Sequence, residues 1–238
     1  MSINSFTFNG VSSENKGLYV GGQLTFNSPR RDITKASIPG RNGDLIRDNG
    51  RFGNIQVAYN IVAMNSFAAT AQAVRNWLMS VKGYARLEDT YDPTHYRMAA
   101  VSESVDFETG AYNATGKAQI TFDCMPQRFL KSGETAVTIT SSGTLSNPTP
   151  FESKPLIRVY GSGDCQITIG NQIIYLDDVD GYIDIDCETM NCYNGTTNCN
   201  SQVTLGASGF PTLPTGDTGV QIDSGATSIV ITPRWWEV

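Results

Sequence analysis

The sequence predicts a mainly β protein with one helix set into its first half. Three observations carry this. Apolar and polar residues alternate through many short runs. Turn dipeptides such as Asn9-Gly10, Asn42-Gly43, Asn49-Gly50 and Gly170-Asn171 separate the runs. Only Ser66 to Lys82 changes to the helical period. The chain has 238 residues, 39% of them hydrophobic and 17% charged. It can bury a core, and it carries less charge than the usual quarter of a globular protein.

The first strands come from Ile3, Phe6 and Phe8, then Leu18 and Val20, then Leu24 and Phe26 after Gly21-Gly22. Ser28-Pro29-Arg30-Arg31-Asp32 breaks the alternation. Residues 37–62 follow, with turn signals crowded around short apolar pieces. Asn49-Gly50 predicts a type I′ hairpin turn, whose central residues need positive φ. After it Ile55, Val57, Tyr59 and Ile61 alternate with Gln56, Ala58 and Asn60. This predicts a projecting β-hairpin with mixed charge at its base, a layout suited to gripping a neighbour. Arg41, Arg47, Arg51, Phe52, Ile55 and Tyr59 are the residues expected to make that contact.

In the helix, Phe67, Ala71, Val74, Leu78 and Val81 form the apolar stripe and Trp77 widens it. Ser66 is the expected N-cap and Gly83 the closing glycine. Strands are then expected over 84–88, 96–101 and 116–122, with a turn at Thr90 to Thr94. The small polar composition of 131–154 marks it as a linker between an N-terminal domain, 1–130, and a C-terminal domain, 155–238. The second half reads as short β-strands throughout: 155–160, 165–169, 172–176, 182–187 and 227–233, with Gly161-Ser162-Gly163 closing the first. This is sandwich spacing.

The net charge is −6, which argues against a nucleic-acid groove built on clustered cations. No apolar run is long enough to span a membrane. The N-terminus lacks the basic and apolar regions of a secretory signal, so the chain is expected to fold in a cytosol. Cys187, Cys192 and Cys199 cluster without zinc-site spacing, and no CxxC occurs. They read as buried thiols. His95, the sole histidine, has no carboxylate or serine partner at motif spacing and reads as a turn residue. Asp177, Asp178, Asp180, Asp184, Asp186 and Glu188 do not fit a calcium loop and read as turn acids on a wet face. Trp235, Trp236, Tyr160, Tyr175, Tyr182 and Tyr193 could stack on sugars, though such aromatics more often fill a core. No phosphate loop and no GxSxG elbow is present. No catalytic, metal or cofactor residue is assigned.

Several short motifs, taken together, resemble one family. In the N-terminal half they are Phe6-Thr7-Phe8-Asn9-Gly10-Val11, Gly17-Leu18-Tyr19-Val20, the run Ile38 to Leu45, and Asn54 with Tyr59. In the C-terminal half they are Asn147-Pro148-Thr149, Ser153 to Ile157, Tyr160 to Gly163, Tyr182 to Glu188, Cys192-Tyr193 and Phe210 to Leu213 with Gly216. The chain resembles the distal tail (Dit) proteins of long-tailed, non-contractile phages over nearly its whole length. It departs at Thr218, where the family usually has Asn.

The resemblance implies an N-terminal β-sandwich with a hairpin arm and a galectin-like C-terminal β-sandwich. It implies a homo-hexameric ring, or a dimer of such rings, in the virion tail of a phage assembled in the bacterial cytoplasm. Its partners would be the tail tube protein, the tail-associated tip protein and receptor-binding or baseplate proteins, with DNA only in transit. Two other readings stand beside it: a carbohydrate-binding module assisting adhesion to the host surface, and a hydrolase using Asp184 or Asp186, which the absent motifs disfavour.

Overall fold

The structure, a computed structural model, describes residues 4–23, 27–64, 67–110 and 114–238. Ile3, Leu24, Phe26 and the expected N-cap Ser66 lie outside the described residues. The chain divides into two compact units at Arg128/Phe129, with the terminal Val238 grouped with the first.

Among the described residues the first unit has an antiparallel sheet, one α-helix and a separate two-stranded ribbon. In spatial order the strands are Val11–Ser12, Phe6–Phe8, Ala85–Asp89, His95–Ala100, Thr115–Cys124, Ile55–Met64 and Leu18–Gln23. Ile55–Met64 and Thr115–Cys124 pair along their full length, from Cys124↔Ile55 to Thr115↔Met64. In Ile55–Met64 the inward positions are Ile55, Val57, Tyr59, Ile61 and Ala63, as the period-two pattern requires. The helix Phe67–Ser80 buries Ala71, Val74, Trp77 and Leu78, the predicted stripe. Gly83 has a φ of 72° but lies three residues beyond the last helical one. Aromatic rings meet beneath the helix. Phe6 stacks on Tyr59 at 4.9 Å and on Trp77 at 5.9 Å, and meets Phe122 edge-on at 5.4 Å. Each such pair adds about 0.5–1.5 kcal/mol beyond the area it buries.

The second unit is built on three long strands, Leu156–Ile169, Gln172–Asp186 and Gly216–Thr232, lying side by side. The sequence reading split the first two at Gly161-Ser162-Gly163 and near Asp177. Instead each runs through, because bulges absorb the irregularity and pairing resumes beyond them. Gly225 shows why a glycine is needed at such a point. Its φ is 72°, and a Cβ there would lie 2.0 Å from the Asp164 carbonyl oxygen.

The segment expected to be a linker, 131–154, is integral to this unit. Val137–Ile139 and Ser142–Asn147 both pair with Gly216–Thr232. Ile139 and Leu145 are buried in its core. Asn147 and Ser153 tie it down: the Asn147 amide donates to the carbonyls of Phe151 and Leu213, and the Ser153 hydroxyl to that of Pro233. Small polar composition signalled exposure, whereas these side chains cap buried backbone. Trp235 and Trp236 stay here too. Trp235 is buried in this core, and Trp236 stacks on Phe151 at 4.5 Å.

Candidate assembly arm

Strands Arg31–Ala36 and Leu45–Phe52 pair with each other as a separate two-stranded ribbon. Its register runs from Ala36↔Leu45 to Arg31↔Phe52. The Gly53 N–H donates to the Arg30 carbonyl at 2.9 Å and closes its base. No residue from Arg31 to Phe52 is buried. Ile38, Leu45 and Ile46 are exposed at 40%, 50% and 60%. An apolar tip of this kind is available to another surface.

The arm's boundaries and turn differ from those expected. The reversal is made by 37–44, where Gly40 and Gly43 both have φ of 82°. Asn49-Gly50 lies inside the second strand. There the register jumps from Ile33↔Asp48 to Arg31↔Phe52, so Asp32 faces three residues. Gly50, at a φ of 71°, supplies the left-handed position of this enlarged bulge. An Asn-Gly pair meets the dihedral demand of either structure, so the dipeptide alone does not choose between them.

Side chains hold the bulge. The Arg51 Nε donates to Asp32 Oδ2 at 2.5 Å, and the Asn49 amide donates to Asp32 Oδ1 at 3.0 Å and Thr34 Oγ1 at 3.2 Å. The Gly50 N–H donates to Asp48 Oδ1, and the Arg31 Nη1 to Asp48 Oδ2, both at 2.8 Å. The Arg51 hydrogen bond lowers the Asp32 pKa, as that of the Gly50 amide lowers Asp48. Arg31 also lies over the Phe52 ring at 4.8 Å.

Of the six residues expected to make the contact, Arg41 and Arg47 are exposed on the arm. Arg51 and Phe52 brace its base. Ile55 and Tyr59 must be withdrawn: they are 6% and 1% exposed, in the core of their own unit. Once the chain passes Asn54 it enters the main sheet, and the inward positions of that strand belong to the core.

The remaining candidates have other roles. Asp184 and Asp186 are not wet turn acids. Asp184 is bound in bidentate fashion by Arg158, at 2.7 and 2.8 Å, and Arg234 holds Asp186 at 2.6 Å. Arg158 also lies 4.3 Å over the face of Tyr182, and Phe151 covers a face of Trp236. These arrangements occupy ring faces that a sugar would need.

His95 does have a carboxylate partner, which the sequence reading missed. Its Nδ1 is 2.7 Å from Asp92 Oδ1, and the Arg128 Nη2 donates to Asp92 Oδ2 at 2.7 Å. The Asp92-Pro93-Thr94-His95 turn was the available signal, since a β-turn brings its first and fourth residues together. The three line a cavity of about 260 Å³ with Tyr59, Asp89 and Arg97. The Tyr59 hydroxyl donates to Asp89, and burial pushes its pKa up. Among the described residues the lining contains no serine or cysteine to act as nucleophile.

No family model matches the chain, and no curated protein matches it in sequence. Solved structures do. The crystal structure of SPP1 Dit, described as a paradigm of the hub adsorption apparatus in phages infecting Gram-positive hosts, superposes with a TM-score of 0.78 at 12% identity, covering 100% of both chains. This chain has the Dit fold. Chains of the phage p2 baseplate, in its activated conformation with strontium and with calcium, match at TM-scores of 0.51 and 0.50 and 11% identity, over 97% of this chain and 98% of theirs. Identity this low establishes the Dit fold and no chemistry. No helix among the described residues is long and apolar enough to cross a membrane.

Proposed function

We propose that the chain is a structural subunit of a phage tail: six copies close a ring at the distal end of the tail tube. The ring joins the tube to the tip protein and carries receptor-binding or baseplate parts on its outer side. DNA passes through its hole. The observation that carries this reading is the solvent-exposed ribbon 31–52, in a chain whose whole length superposes on a hub protein.

A head-to-tail contact repeated through one rotation closes into a ring. A ribbon with unpaired edges and apolar residues at Ile38, Leu45 and Ile46 can make that contact by strand addition to the next copy. The net charge of −6 suits a passage through which phosphates slide. No catalytic role belongs to this reading.

Light scattering and electron microscopy of the purified protein test it. Hexameric rings, or pairs of them, are expected. Replacing Arg31–Phe52 by a short Gly-Ser turn between Arg30 and Gly53, whose backbones already hydrogen-bond, should leave a folded monomer. A wild-type protein that remains monomeric at high concentration, or an armless one that still forms rings, refutes the assignment. A strongly basic lumen refutes the account of DNA passage.

A further inference from the structure

Cys187, Cys192 and Cys199 are 2%, 2% and 3% exposed and share the core of the second unit. The proposed function uses none of them, and their places in the sheet are unequal. Strand Asn191–Asn194 pairs with Thr197–Asn198 through Tyr193↔Asn198 and Asn194↔Thr197. One further step in this register sets Cys192 opposite Cys199, and the Cys199 N–H donates to the Cys192 carbonyl at 2.8 Å. The Cys192 N–H donates instead to Asn200 Oδ1 at 2.6 Å, so only one of the two ladder bonds forms; directly opposed residues of an antiparallel ladder have Cα atoms about 4.5–5.5 Å apart. A disulfide closes over Cα separations of about 4.4–6.8 Å. Opposed side chains leave the ladder on the same face, and these two enter one core.

Cys187 is placed differently. The partner of Cys192 on its other side is Ile185, so Cys187 is only diagonal to Cys192. Diagonal neighbours are about 7–8 Å apart, too far to bridge without backbone movement. Cys165 pairs with Leu176 on other strands, and Cys124 belongs to the first unit.

We propose that Cys192 and Cys199 are a disulfide-forming pair, a redox-modification site that clamps the hairpin 191–198 when the protein meets a small-molecule disulfide oxidant. One cysteine, as thiolate, attacks a sulfur of the reagent, forming a mixed disulfide and releasing one reagent thiolate. The second cysteine, also as thiolate, attacks the protein sulfur of that mixed disulfide and releases the other. The two protons lost by the protein thiols go to the two reagent thiolates, and the two electrons of the protein dithiol reduce the reagent. Burial pushes the Cys192 thiol up to about 11, so attack is slow while the hairpin is closed. Thr197–Asn198 is a two-residue strand at the end of the sheet order. Such an edge opens at lower cost than the sheet interior, and that opening sets the rate.

The test incubates the full-length protein with oxidised glutathione, alkylates the remaining thiols in denaturant and maps the product by tandem mass spectrometry. The expected product has lost two hydrogens, joins Cys192 to Cys199, and is alkylated at Cys124, Cys165 and Cys187. Its Tm should exceed that of the reduced protein and return to it on adding reductant. Cys187→Ser should still form the bridge. A bridge to Cys187, or stable glutathione adducts on Cys192 or Cys199, overturns the assignment. So does alkylation of all five cysteines after incubation in denaturant just below the unfolding midpoint, where the hairpin has opened.

Discussion

Asp184 and Asp186 stand two residues apart on one strand, and each is matched to an arginine. The Asp184 side chain is 3% exposed and its partner Arg158 38%. Removing the guanidinium leaves a carboxylate in the sheet with its main partner gone. Losing one member of a buried pair costs about 3–5 kcal/mol, and the partial exposure of Arg158 puts Arg158→Leu at the low end. Urea unfolding of the variant should show that loss with an unchanged slope. Asp186 supports a pH prediction. Burial opposes its ionisation, but the Arg234 guanidinium and the amides of Glu188 and Thr189 outweigh burial and hold its pKa below the ordinary carboxylate range. As the pH falls, the unfolded chain therefore takes up this proton before the folded one does. The stabilisation is complete above about pH 5 and is lost as the pH drops through 4 and past the folded pKa. Asp186→Asn should flatten the fall in unfolding free energy between about pH 5 and 3. An unchanged acid profile would show that this pair does not contribute to it.

The arm is the element on which local chemistry can be separated from global stability. Gly50 sits at a φ of 71°, and a Cβ added there would have no neighbour within 4 Å. The strain on a valine there comes chiefly from its backbone, at about 1–2 kcal/mol. Because no residue from Arg31 to Phe52 is buried, Gly50→Val should leave the Tm of either unit unchanged. It should shift assembly to higher protein concentration, read by sedimentation. A lowered Tm would mean that the bulge supports the core. The same element marks how far the sequence could be read. Strand Ile55–Met64 was legible because one wet face and one buried face produce a period of two. The helix was legible because Ala71, Val74 and Leu78 recur at its own period. The place of the arm's turn was not, since Pro39-Gly40, Asn42-Gly43 and Asn49-Gly50 all satisfy turn dihedrals. Only the pairing partner, Asp32, makes the last of them a bulge. Likewise the place of 131–154 in the second unit was hidden because Asn147 and Ser153 are small and polar, and are buried to satisfy backbone groups. The part of Arg128 in the Asp92–His95 group was hidden because it reaches Asp92 across 36 residues of chain.

At the scale of the whole molecule, the two cores and the arm divide the labour. Phe6, Tyr59, Trp77 and Phe122 close one core, and Ile157, Ile167, Ile174 and Trp235 belong to another, formed entirely after Arg128. Each unit therefore has the buried apolar cluster that an independently stable domain needs. The arm belongs to the first unit alone. If ring closure depends on the arm, the capacity to assemble must follow the first unit when the chain is cut. A fragment spanning 129–238 should unfold in one cooperative transition and remain monomeric at any accessible concentration. A fragment spanning 1–128 should retain the concentration-dependent assembly of the full chain, and lose it when Arg31–Phe52 is replaced. Light scattering of the two fragments reads both outcomes. Assembly by 129–238 alone would move the ring contact to the second unit and leave the ribbon without its proposed role.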